Sequence, residues 1–128
     1  MPDYNQLLIY PQIGPALQAT TWVALPIVGA THTFILKVTR KGEPVTGATV
    51  TLRIFDATNT QVYPVSGALT IPADATMPGT YSYTPASTGI FSVAGSLYTA
   101  KWTVMAPAAG TNPALTLPIT QQLIAQDP

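Results

Sequence analysis

Charged residues are scarce in this chain, and they are missing altogether from two long segments. Asp, Glu, Lys and Arg make up 8% of the 128 residues, against about a quarter in ordinary soluble domains. None of them occurs between Asp3 and Lys37, or between Lys101 and Asp127. Because mixed surface charge normally keeps a soluble monomer dispersed, we expect the two uncharged flanks to be covered by other protein.

Cysteine is also absent, which excludes disulfide bonds, thiolate metal sites and a cysteine nucleophile. The formal net charge is zero and no basic cluster is present. The chain therefore lacks the positively charged surface that binding to nucleic acid or to an anionic membrane requires.

A membrane-spanning helix is not expected, although residues 7–28 are largely apolar. Pro11, Pro15 and Pro26 interrupt this stretch, and each proline removes a backbone hydrogen bond that a helix in lipid needs. The first residues also lack the basic region of a signal peptide.

Side chains that carry out catalysis are few and scattered. His32 is the one histidine, and neither a cysteine nor a serine motif accompanies it. The five carboxylates lie in apparent turns or tails, so no acid–base pair, metal site or cofactor site is predicted. Four aromatic residues have a spacing typical of core positions rather than of exposed stacking platforms: Tyr81, Tyr83, Tyr98 and Trp102.

Alternation of apolar and polar residues is the strongest structural signal. It is clearest over residues 33–39, 48–55, 80–84 and 97–105, with a weaker strand at 90–93. Glycine and proline mark the turns between these segments, including a charged turn at 40–47 that we expect to be solvated. About six or seven short strands at this spacing predict an all-β fold, an antiparallel β-sandwich over residues 31–105.

The flanks, residues 1–30 and 106–128, do not share this pattern throughout. We interpret the first as an apolar N-terminal arm and the second as a C-terminal arm or an added strand. Aromatic and aliphatic anchors are favoured at protein interfaces. The candidate partner contacts are Tyr4, Leu7, Leu8, Ile9, Tyr10, Trp22, Leu115, Leu117 and Ile119.

Two motifs resemble those of bacterial and phage immunoglobulin-like domains. The run from Gly42 to Val50 reads Gly-Glu-Pro-Val-Thr-Gly-Ala-Thr-Val and is similar to the Gly-x-Pro-Val-x-Gly-Ala-x-Val first hairpin of that family. The run from Pro78 to Tyr83 resembles the Pro-Gly-x-Tyr start of a late strand, and residues 98–104 would form the closing strand. The resemblance implies an immunoglobulin-like sandwich over a little more than half of the chain.

The function that this resemblance implies is broad, because such modules occur in adhesins, polysaccharide-active enzymes and phage virions. A short module with uncharged flanks and no export signal favours a non-enzymatic structural protein of a phage virion, in capsid decoration, neck, tail or baseplate. Its partners would be other virion proteins or copies of itself, bound through apolar arms. The alternative is an immunoglobulin-like module that binds carbohydrate or a host surface.

Overall fold

The computed structural model describes residues 17–21, 25–111 and 113–128. Over these ranges the chain is all-β, with nine strands and no helix. In chain order the strands are β1 (Leu17–Thr21), β2 (Phe34–Arg40), β3 (Glu43–Pro44), β4 (Thr49–Phe55), β5 (Gln61–Tyr63), β6 (Leu69–Thr70), β7 (Thr80–Tyr83), β8 (Leu97–Ala106) and β9 (Leu115–Ile124).

The strands form two antiparallel sheets. In the first sheet, β2 pairs with β1 along one side and with both β7 and β3 along the other, so β7 and β3 lie end to end. In the second sheet, β4 pairs with β8, and β8 pairs with β9 over ten residues. The short strands β5 and β6 complete the far side of β4. The edge strands β1 and β9 lie beside each other.

One hydrophobic core lies between the sheets, and the alternation in the sequence creates it. Side chains at every second position of β2, β4 and β8 point inward and are buried. Phe34 of the first sheet meets Trp102 of the second edge to face, with ring centroids 6.3 Å apart. The prediction of an all-β protein with two antiparallel sheets is therefore confirmed.

The two sequence motifs contact each other in the structure. Residues 40–43 form a two-residue hairpin turn between β2 and β3, with positive φ at Lys41 and Gly42 as a type I′ turn requires. Gly79 occupies the third position of a turn that the Thr80 N–H closes onto the Met77 carbonyl at 3.1 Å, and its φ is +81°. A Cβ on Gly79 would lie 2.7 Å from Cβ of Pro44, so only glycine allows β3 and β7 to meet.

Tyr81 joins the same two segments through its hydroxyl group. The side chain is buried at 1% exposure, and its hydroxyl donates to the Val45 carbonyl at 2.6 Å. The same oxygen accepts the Ala48 N–H at 3.0 Å. Two backbone groups of the turn that leads into β4 are thus satisfied by one side chain of the opposite sheet, as buried polar groups require.

Four details differ from the sequence-based expectations. Residues 98–104 lie in β8 and do not form the closing strand, because β9 follows β8 in the chain and pairs with it over ten residues. Residues 90–93 form no strand; Ile90 and Phe91 instead close the end of the core from a loop. Tyr83 is 41% exposed at the end of β7, whereas Tyr81, Tyr98 and Trp102 are buried as expected. The turn at 40–47 is exposed over most of its length, but Arg40 is buried.

In the described ranges, no helix has the length and apolar character needed to cross a membrane.

Candidate functional site

Six of the nine candidate contact residues, Tyr4, Leu7, Leu8, Ile9, Tyr10 and Trp22, lie outside the residues that the structure describes. The remaining three, Leu115, Leu117 and Ile119, lie on β9. They alternate with exposed residues and are half-buried, and Leu117 and Ile119 pack against the core of their own chain. The outward face of β9 is formed by other residues: Thr116, Pro118, Thr120, Gln122 and Ile124.

Strands β1 and β9 together form one uncharged edge of the sandwich, which we call the β1–β9 edge. Neither strand contains a charged residue. Among the described residues, β1 pairs only with β2, and β9 pairs only with β8 along its length. Pro118 is compatible with this position, because a strand with one neighbour tolerates a missing N–H on its free side.

A cleft of about 450 Å³ opens where the β2–β3 turn meets the segment after β8. Its walls are mainly apolar, formed by Pro44, Val45, Pro107 and Ala109, and Arg40 and Lys41 also line it. We call it the Arg40 cleft. Its size is within the range of ligand-binding clefts.

Arg40 is 7% exposed, which is unusual for a charged side chain. Its Nη1 donates to the Pro107 carbonyl at 3.3 Å and its Nη2 to the Pro113 carbonyl at 3.0 Å. Nε is buried and has no hydrogen-bond partner among the residues that the structure describes. Although Glu43 is directly opposite Arg40 in the β2–β3 pairing, no ion pair joins them in the described structure. Among the described residues the guanidinium charge is therefore buried without a counter-charge, which is energetically costly.

The burial of Arg40 was missed from the sequence, although a signal for it was present. Arg40 continues the series of every second residue formed by Phe34, Leu36 and Val38. The alternation of β2 therefore points its side chain toward the core. Because Arg40 also begins the charged turn at 40–47, it was expected to be solvated.

A second group of positive charges lies on the outer face of the second sheet. Arg53 of β4 is directly opposite Lys101 of β8, a like-charge arrangement that disfavours strand pairing. Nζ of Lys101 lies 4.5 Å from the centroid of the Phe55 ring, and this cation–π contact offsets part of the repulsion.

Two carboxylates are used in their own turns. Oδ1 of Asp56 accepts the N–H groups of Thr58 and Thr60, at 2.9 and 3.0 Å. Oδ1 of Asp74 accepts the N–H and hydroxyl of Thr76, both at 2.8 Å. Hydrogen bonds to the charged form lower the pKa of both carboxyl groups. Within the described ranges, no three His, Asp or Glu side chains lie close enough together to hold a metal ion.

His32 lies just before β2, half-buried against aromatic rings. Its ring meets Phe34 edge to face at 4.8 Å and Phe91 at 5.4 Å. Burial lowers the pKa of His32 below its ordinary value of 6.5, because the imidazolium loses hydration there. The contacts make His32 part of the cap over this end of the core.

We expect the wild-type free energy of unfolding to decrease as the pH falls from about 7 to 5. The folded state resists protonation of His32, whereas the unfolded state takes up the proton near pH 6.5, so acid favours unfolding. Urea unfolding of wild type and His32→Gln at several pH values measures this. The free energy of unfolding of His32→Gln should not fall with pH in this window. The same pH dependence in both proteins would contradict the assignment of the effect to His32. The lowered pKa values of Asp56 and Asp74 change the free energy of unfolding only below about pH 4.

The chain matches no protein-family model, and no curated protein sequence shows significant similarity to it.

Proposed function

We propose that this chain is a non-enzymatic structural protein of a phage virion, with an immunoglobulin-like sandwich that holds neighbouring subunits. Its place would be in capsid decoration, neck, tail or baseplate. The observation that carries the assembly role is the uncharged β1–β9 edge. The assignment to a virion rests on the resemblance of the two sequence motifs.

The β1–β9 edge has the character of a strand-pairing surface. An edge strand presents unpaired N–H and C=O groups that attract other strands, and monomeric proteins usually protect such edges with charged side chains. Here β9 has no charge in its ten residues, and Pro118 alone interrupts the N–H groups along it. A partner strand that pairs with it would satisfy these groups, as in recognition by strand addition. The apolar residues of the N-terminal flank would bury further apolar surface against the partner, which stabilises the contact by about 25 cal/mol per Å².

The order of the strands supports an immunoglobulin-like sandwich. One sheet has the order β1, β2, β7 and the other β9, β8, β4, which corresponds to strands A, B, E and G, F, C of that architecture. An isolated bridge between Ala73 and Tyr81 is where strand D would pair with E. The chain departs from antibody domains because it has no cysteine and because Trp102 lies on β8 rather than on β4.

Tyr98 supports the same interpretation. It lies near the start of β8, and its hydroxyl accepts the N–H groups of Ser92 and Val93, both at 3.1 Å. A tyrosine at the start of strand F that bonds backbone a few residues upstream is the tyrosine corner of immunoglobulin-like sandwiches.

A carbohydrate- or surface-binding role receives less support. That role predicts exposed aromatic residues in the loops at one end of the sandwich. The loops 56–60, 72–79 and 85–96 contain one aromatic residue, Phe91, and it is 2% exposed.

We expect Thr116→Lys to weaken self-association or particle incorporation at least about tenfold, because a lysine on an edge strand hinders pairing with another strand. Thr49→Lys is the matched control. Both threonines are exposed on the same face, and both are opposite Met105, but Thr49 lies on the interior strand β4. Light scattering after size-exclusion chromatography measures the difference.

Two outcomes would contradict the proposal. A wild-type chain that stays monomeric and is not incorporated into particles would remove the assembly role. If Thr116→Lys and Thr49→Lys weaken association equally, the contact lies on the outer face of the sheet rather than at the β1–β9 edge.

Assemblies held by apolar burial and strand pairing should also persist to about 1 M salt, because little exposed charge is available to be screened.

A further inference from the structure

The Arg40 cleft combines a buried cation with an apolar surface. Two of the five guanidinium N–H groups donate to carbonyls of the segment after β8, and the buried Nε–H has no acceptor in the described part of the chain. Glu43 and Lys41 at the rim are exposed and carry opposite charges, so they do not neutralise Arg40. A ligand that fits this cleft has a carboxylate group attached to an apolar body.

Within the described ranges, few carboxylates of the chain itself could serve. Four acidic residues are described, and Asp56 and Asp74 accept hydrogen bonds within their own turns. Glu43 already lines the Arg40 cleft without pairing with Arg40. The remaining one, Asp127, is exposed, and its carboxylate makes no hydrogen bond or ion pair in the described structure. Pro128 beside it supplies an apolar ring.

Asp127 cannot reach Arg40 of its own chain. Arg40 bonds to Pro113, just before β9 begins, whereas Asp127 lies beyond the end of β9. The ten residues of β9 separate them by about 30 Å at the usual rise per residue. The uncompensated cation and the unused carboxylate therefore lie at opposite ends of the sandwich, which is a complementary arrangement between copies.

We propose that the Arg40 cleft receives Asp127 and Pro128 of a second copy of this chain, so that copies associate head to tail. This inference rests on the assembly role proposed above and names one contact within it. The carboxylate of Asp127 compensates the buried guanidinium, and Pro128 packs against the prolines of the cleft. A head-to-tail contact uses different surfaces on the two copies and produces a ring or an open filament.

The first test is self-association of the full chain, measured by sedimentation velocity over a range of concentrations. Asp127→Asn should raise the dissociation constant at least about tenfold, because it leaves the buried charge of Arg40 unpaired. Asp127→Glu is the control and should retain most of the association, since it keeps the carboxylate. Equal association of wild type and Asp127→Asn would overturn the proposal.

A second measurement observes Arg40 directly without altering it. A peptide of residues 120–128 is added to the ¹⁵N-labelled full chain, and the side-chain Nε–H resonance of Arg40 is followed by NMR. The wild-type peptide should shift this resonance, and the same peptide with Asp127→Asn should not. No shift at millimolar peptide, or equal shifts with both peptides, would overturn the proposal.

These results separate the head-to-tail contact from the wider assembly role. If Asp127→Asn assembles normally while Thr116→Lys does not, the Arg40 contact is wrong and the β1–β9 edge remains. If Asp127→Asn fails to assemble while Thr116→Lys assembles normally, the head-to-tail contact stands and the edge argument is wrong.

Discussion

Replacing Gly79 with alanine is expected to lower the free energy of unfolding by about 3 kcal/mol. Two effects contribute to this loss. A non-glycine residue at φ +81° is strained by roughly 1–2 kcal/mol. The new Cβ would also meet Cβ of Pro44 at 2.7 Å and the Val38 carbonyl oxygen at 3.0 Å, and overpacking of this kind costs about 1–3 kcal/mol.

Gly95→Ala is the matched control, because Gly95 has a φ of +79° and nothing within 4 Å of the added Cβ. The free energy of unfolding of Gly95→Ala should fall only by the backbone strain of roughly 1–2 kcal/mol. Urea unfolding of wild type, Gly79→Ala and Gly95→Ala measures the contributions of backbone strain and of overpacking. Equal losses at the two positions would mean that β3 and β7 separate easily, and that the contact between the two motifs contributes little.

Trp102→Ala is expected to be the most destabilising substitution, at about 3–5 kcal/mol. Trp102 is 1% exposed in the centre of β8, against Phe34 of the other sheet. Its Nε1–H also donates to the side-chain oxygen of Gln121 on β9 at 3.2 Å. Removing the indole leaves a cavity between the sheets and removes a link between β8 and β9.

Met105→Ala provides the comparison for Trp102→Ala, since it removes a large apolar side chain from the outer face of the same strand. Met105 is 50% exposed, so its loss should cost less than about 1 kcal/mol. Denaturant unfolding followed by circular dichroism measures both variants. A loss below about 1 kcal/mol for Trp102→Ala would show that the core does not depend on this side chain.

The long strands were predictable because each buries one face. In β2, β4 and β8 the residue at every second position is apolar, except Arg40 at the end of β2, and the burial in the structure follows that alternation. Ile90 and Phe91 carry the same apolar signal but fill the end of the core from a loop. A short apolar run specifies burial without specifying backbone geometry, so the strand predicted at 90–93 was wrong.

The candidate site was less predictable, because it depends on contacts between distant parts of the chain. The Arg40 cleft forms where residues 40–47 meet Pro107 and Ala109, and nothing local in either segment indicates this contact. Leu115, Leu117 and Ile119 were recognised as an alternating apolar set. Whether such a set faces its own core or a neighbour depends on the partner of β9, which here is β8.

The ladder between β4 and β8 has a kinetic consequence. It pairs Thr49 with Met105 and Phe55 with Thr99, so the central strands of the second sheet come from distant parts of the chain. Loop-closure entropy must be overcome before these contacts stabilise anything. Sandwiches dominated by such pairings fold in about milliseconds to seconds. Until the ladder closes, the apolar faces of both strands are exposed, and newly made chains at high concentration compete between folding and aggregation.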